Sequence, residues 1–134
     1  MARRLILDTG VLIASERHFT SLSDVILPDD DVVIAAVTVA ELRTGVELAG
    51  ANHREARERF LAQILDTLPV EPYDVSTTLA HGYLLAHVHR SGKPRGAHDL
   101  IIAATAVATK RIIVTTDRNA NFGDLPGVDC ILAN

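Results

Sequence analysis

Four acidic residues stand where an α/β chain collects its chemistry. Asp8 closes the apolar run Leu5-Ile6-Leu7, and Glu41 lies one helical turn beyond the apolar run 32–37. Asp99 stands in the first turn of the most apolar helical stretch, and Asp117 follows the run Ile112-Ile113-Val114. Carboxylates are hard oxygen ligands, and three or four of them open to solvent suit Mg²⁺ or Mn²⁺. Two such ions can activate water and stabilise the leaving oxygen of a phosphodiester. Each acid also has a quieter use. Asp8 and Asp99 can cap helices, Glu41 completes a Thr38-x-x-Glu41 capping box, and Asp117 can shape a turn. The two uses are compatible, because a helix N-terminus favours an ionised carboxylate. No P-loop, Gly-x-Gly-x-x-Gly, Gly-x-Ser-x-Gly or Ser/His/Asp arrangement competes for the chemistry.

The elements that must position these acids follow from hydrophobic patterning. Short, continuously apolar runs predict buried strands over 4–8, 32–37, 111–115 and 128–132, with an edge strand at 68–71 that carries Pro69. Helical segments are expected at 11–15, 19–27 (ended by Pro28), Thr38 to near Gly50, 54–67, 75–90 and 99–110. The last is apolar nearly all round, as a helix buried between other elements must be. Strands alternating with helices predict an α/β fold: a parallel sheet of four or five strands with helices on both faces. Ligands of such sheets bind beyond the carboxyl ends of the strands, where the four acids fall.

The chain of 134 residues, 48% hydrophobic and 22% charged, is expected to fold as one domain over 1–134. Aromatics at 4% and no Trp argue against a base-stacking platform. One cysteine excludes a disulfide framework and a cysteine zinc cluster, and Cys130 is expected as a small core residue. No apolar run approaches the ~20 residues of a membrane span, so a soluble, cytoplasmic protein is expected. The net charge of −4 argues against electrostatically driven nucleic-acid binding. Setting aside the four acids, however, leaves 13 acids against 13 bases. With divalent ions bound, that charge does not exclude RNA.

In order and spacing, four segments resemble the PIN domain: Leu7-Asp8-Thr9 with Val11-Leu12-Ile13; Thr38-Val39-Ala40-Glu41-Leu42; His98-Asp99-Leu100-Ile101-Ile102-Ala103-Ala104; and Val114-Thr115-Thr116-Asp117. The resemblance spans essentially the whole chain and is greatest to the VapC-type ribonuclease toxins of bacterial toxin–antitoxin modules. It implies a PIN-like fold and a Mg²⁺- or Mn²⁺-dependent endoribonuclease. Asp8, Glu41, Asp99 and Asp117 would be its catalytic, metal-binding acids, and Thr115 a supporting hydroxyl. It further implies a small cognate antitoxin and a homodimer formed through apolar helix surface. The family usually carries Ser or Asn where this chain has Gly10, which removes a side-chain hydrogen bond near the metal. The fourth acid varies in position in the family, and Asn119, Asn121 and Asp124 are neighbours able to assist Asp117. Two other readings stand beside this one. A phosphate-ester hydrolase with an aspartyl nucleophile would want a second Asp where Gly10 stands. A catalytically inactive PIN-like binding module would be expected to have lost some of the acids.

Other polar residues are weighed singly. Arg90, Lys93 and Arg95, with His87 and His89, form a basic stretch leading to Asp99 that can either end a helix in solvent or contact RNA phosphates. His98 is expected to be structural or exposed, Arg43 to lie at the surface, and Phe122 to plug its loop. Asp29-Asp30-Asp31 reads as a solvated turn.

Overall fold

Leu5, Ile6 and Leu7 are each fully buried, as a strand covered on both faces requires. They form β1 (Arg4–Leu7), the centre of a five-stranded sheet in the computed structural model, which describes residues 2–18 and 21–133. The other strands are β2 (Asp31–Ala35), β3 (Val70–Glu71), β4 (Ile112–Thr115) and β5 (Cys130–Leu132). The order is β3-β2-β1-β4-β5, and every pairing is parallel. The expected α/β architecture and its parallel sheet are what the chain adopts.

Alternation along the strands separates two cores. Leu5, Leu7, Ile34 and Val114 face α1 (Thr9–Glu16), α2 (Ala36–Leu48) and α3 (Ala51–Thr67). Ile6, Val33, Ala35 and Ile113 face α4 (Val75–Ser91) and α5 (Ala97–Thr109). Leu100, Ile102, Ala103, Ala104, Thr105 and Ala106 of α5 are buried, which explains why that helix lacks a polar side. Asp74 opens α4 with a capping box to Thr77, and Gly92 closes it in the left-handed region at φ +67°. Phe122 is fully buried and anchors the loop between β4 and β5, as its sequence position suggested.

Several local expectations are corrected. Thr38 and Glu41 do not form a capping box. The helix begins at Ala36, so both lie inside it, and Thr38 is buried against Thr9. The Asp29–Asp31 turn is not merely solvated. Arg3 reaches Asp30 through two hydrogen bonds, of 2.6 and 3.0 Å, and Asp31 opens β2. Cys130 is exposed, because on the edge strand β5 it and Leu132 face outward while Ile131 packs against the core. Of the helix expected over 19–27, the described residues 21–27 instead hold a 3₁₀ turn at Leu22–Asp24, and Phe19 and Thr20 lie outside the described residues.

Candidate active site

The chain leaves β1 in one direction to build β2 and β3, and returns to its other side to build β4 and β5. The strand order thus switches at β1 and β4, and a crevice opens beyond their carboxyl ends. Asp8 follows β1 directly. Its backbone N–H donates to Val114 O at 2.9 Å, continuing the β1–β4 ladder past the last strand residue. The side chain holds an N-cap position but makes no cap hydrogen bond. Instead Asp8 Oδ2 accepts from Thr115 Oγ1 at 2.9 Å. Thr115 Oγ1 in turn accepts from the Asp117 N–H at 3.0 Å, so one buried hydroxyl registers two of the acids. Asp8 is only 6% exposed. Burial pushes its carboxyl up to about 6; the Thr115 hydrogen bond opposes the shift, and the charges of Asp99 and Glu41 add to it.

Glu41 projects from α2 toward the same crevice. Its Oε1 accepts from Thr9 Oγ1 at 2.7 Å, and Thr9 Oγ1 lies 3.0 Å from Thr38 Oγ1. Its Oε2 is 3.3 Å from Nδ1 of His98, an exposed residue at the rim. Asp99 is the third residue of α5 and half-buried. Among the described residues no donor reaches its carboxylate. A Cβ on Gly96 would lie 3.1 Å from Asp99 Oδ2, so the glycine makes room for that side chain. Burial raises the Asp99 carboxyl, and Asp117 and Glu41 raise it further, against His98 and Arg95. Asp117 is exposed, and its Oδ1 accepts from the Asn119 N–H at 2.8 Å, capping the 3₁₀ turn Arg118–Ala120.

The fold therefore gathers the four acids at one end of the sheet, from four separate elements. Among the described residues, no Lys or Arg side chain hydrogen-bonds to any of them. Nor do any three close into a cation cage as they stand; the cluster is open. Its donor set fits Mg²⁺, which keeps several of its waters and takes one or two protein carboxylates. Asp8 and Asp99 are raised first by burial and then by the neighbouring acids, and a divalent ion would supply positive charge that favours their ionised forms.

The remaining expectations divide. Arg90, Lys93 and Arg43 are exposed. Arg95 is corrected in part: it is half-buried, and its Nη1 donates to Ala120 O and Asn121 O at 2.5 and 2.7 Å, so it does not present a free guanidinium to a phosphate. Asn119 and Asn121 shape the loop, with Asn121 Nδ2 donating to Asn119 O at 3.2 Å. A Cβ on Gly10 would lie 3.4 Å from Thr116 Oγ1 and 3.8 Å from Asp8 Oδ2, so a small side chain there would touch the site. Sequence reasoning missed Thr9, whose hydroxyl donates to Glu41 and meets that of Thr38. The available signal was Thr9 itself, adjacent to Asp8.

Comparison with known proteins bears on this arrangement. The family model for the PIN domain matches residues 5–127. VapC ribonuclease Y4jK of Sinorhizobium fredii is 35% identical over 92 residues, 66% of each chain. Ribonuclease VapC5 of Mycobacterium tuberculosis is 31% identical over 112 residues, 84% of this chain and 82% of that one. The crystal structure of VapBC-5 from Mycobacterium tuberculosis, a member of the VapBC family of toxin–antitoxin systems, matches with a TM-score of 0.81 at 30% identity. That match covers 97% of this chain and 98% of the other.

Proposed function

This chain belongs to the PIN-domain family, and from that premise we propose that it is the endoribonuclease toxin of a toxin–antitoxin pair, dependent on Mg²⁺ or Mn²⁺ held by Asp8, Glu41, Asp99 and Asp117. The observation that carries the metal reading is the convergence of four carboxylates beyond the strand ends, where among the described residues no Lys or Arg side chain hydrogen-bonds to any of them. When bound, the ion supplies charge that makes water a better nucleophile and stabilises the oxygen leaving phosphorus.

The chain's own residues set up that chemistry. Thr115 fixes Asp8 Oδ2 and with it the orientation of the carboxylate. Thr9 holds Glu41 in one rotamer, so less freedom is lost when a ligand binds. Asp117 spends one oxygen on its own turn and keeps the second for the site. Arg90 and Lys93, exposed where α4 ends and the connection to α5 begins, would contact phosphates flanking the scissile bond.

Two partners follow from this reading. An antitoxin segment offering Arg or Lys would be drawn to the uncompensated acids. A second copy would cover the stripe Val75, Leu79 and Tyr83 on α4, which are 85, 83 and 64% exposed at one-turn spacing. No described helix is long and apolar enough to cross a membrane, and we place the toxin's action in the cytoplasm, with its RNA. The test is RNA cleavage in Mg²⁺, Mn²⁺ and chelator, with Asp8→Asn alongside. Cleavage that needs metal and Asp8 is expected; full cleavage in chelator by metal-free protein would overturn the metal assignment.

A further inference from the structure

Two flanks of the acidic crevice are separate in the chain. Asp99 hangs from the start of α5, and Asp117 from the loop after β4. The connection between α4 and α5 runs through Gly92, Pro94 and Arg95 and delivers Asp99 four residues past Arg95. From that connection the Arg95 Nη1 reaches across 25 and 26 residues of sequence to the carbonyls of Ala120 and Asn121, at 2.5 and 2.7 Å. Among the described residues these are the only hydrogen bonds between the two segments. The carbonyls it takes belong to the turn that Asp117 caps, and Asn121 there sits in the left-handed region at φ +50°, where the chain bends. The loop is thus gripped from inside by Asp117 and from outside by Arg95.

We propose that Arg95 is a positioning residue that sets the separation of Asp99 and Asp117 by clamping the β4–β5 loop to the entrance of α5. A guanidinium suits the task. Its Nη1 carries two N–H groups in the rigid guanidinium plane, one for each carbonyl, and the group remains charged at every working pH. Its charge also offsets part of the repulsion around Asp99. A cation shared by the two acids binds well only if their spacing is kept, so releasing the clamp weakens the ion before it weakens RNA. The proposal rests on the metal-dependent reading above.

The experiment compares wild type, Arg95→Met and Arg95→Lys. The first readout is the rise in melting temperature as Mg²⁺ is added without RNA; the second is the salt dependence of RNA binding. Arg95→Met is expected to need about tenfold more Mg²⁺ for the half-maximal rise, the range found when groups behind metal ligands are removed. Arg95→Lys should recover part of that loss, and the salt slope should match wild type. Should Arg95→Met fail to fold, Arg95→Gln, which lacks the reach and the charge, carries the same expectation. An unchanged Mg²⁺ response overturns the proposal, whether accompanied by a lower melting temperature alone or by a salt slope reduced by about one phosphate contact. A wild type that ignores Mg²⁺ removes the metal reading itself. A wild type that responds, matched by an equally responsive Arg95→Met, removes only the role of Arg95.

Discussion

At the start of β2, Asp30 and Asp31 each meet arginines. Arg3 bonds Asp30 at 2.6 and 3.0 Å, Arg4 bonds Asp31 at 2.9 Å, and Arg111 reaches Asp31 at 3.1 Å and Glu71 at 3.6 Å. At the other end of the sheet, Asp8, Glu41 and Asp117 meet hydroxyls, one exposed histidine and a backbone N–H, while Asp99 meets no donor among the described residues. Arg3 holds the Asp30 carboxyl down at about 2, whereas burial pushes Asp8 up to about 6. The residue types match and the outcomes are opposite. Fixed cations turn acids into struts; where no fixed cation is supplied, the field is left for one that comes and goes.

The largest effect expected from this contrast is on activity. Asp8→Asn should lower RNA cleavage by about a thousandfold, the several kcal/mol that a bound metal contributes to a transition state. The metal-free variant should melt no lower than wild type. A variant that cleaves normally would make the crevice a second set of struts.

Next comes the dependence of stability on pH in chelator. Asp8 titrates at about 6 when folded and near ~3.9 unfolded, so the folded state takes up its proton first. Stability should therefore rise as pH falls from neutrality through 6 toward ~4, by up to roughly 3 kcal/mol. Asp30 behaves oppositely: with a folded value of about 2, it contributes stability that is lost as pH falls from ~4 toward 2. Denaturant titrations across pH should show both limbs, and Asp8→Asn should reduce only the upper one, leaving the smaller part that the raised Asp99 carboxyl contributes. An upper limb of undiminished height in Asp8→Asn would assign it elsewhere.

Arg111→Met sharpens the other half. Its side chain is 5% exposed, and removing it takes one of two arginines from Asp31, a partner from Glu71 and a donor from the carbonyls of Leu5 and Asp31. A loss of roughly 2 kcal/mol or more is expected, with cleavage per folded molecule unchanged. The smallest effect is ligand-linked. Mg²⁺ at about tenfold its Kd should stabilise wild type by ~1.4 kcal/mol, and Asp99→Asn less. Equal responses in thermal melts would take Asp99 out of the ligand set.

Much of this was legible in the sequence because burial on two faces leaves unbroken apolar runs. Leu5-Ile6-Leu7 and Ile112-Ile113-Val114 announce themselves, and the acids just beyond them inherit a position. What could not be read depends on partners distant in the chain. The Thr38–Glu41 spacing satisfies a local rule, but the helix starts earlier, and Thr9, 29 and 32 residues away, claims both side chains. Asp30 looks like one acid of a solvated run until Arg3, 27 residues away, is seen to reach it. Arg95 reads as an RNA contact because nothing nearby reveals the carbonyls it grips. Cys130 is as apolar as its neighbours, and only the position of β5 at the sheet edge turns it outward.

The hydrogen bond between Thr115 and Asp8 spans 107 residues. A nascent chain on the ribosome exposes Asp8 early, and β1 has β2 at hand only 27 residues later, by their paired register. The crevice itself has no second wall until β4 has been synthesised, released from the exit tunnel and slotted beside β1. A chain stalled or truncated before Thr115 carries three of the four acids and no site. For the ribonuclease proposed above, that order of assembly would be a built-in delay, because the last strands made are the ones that complete the crevice.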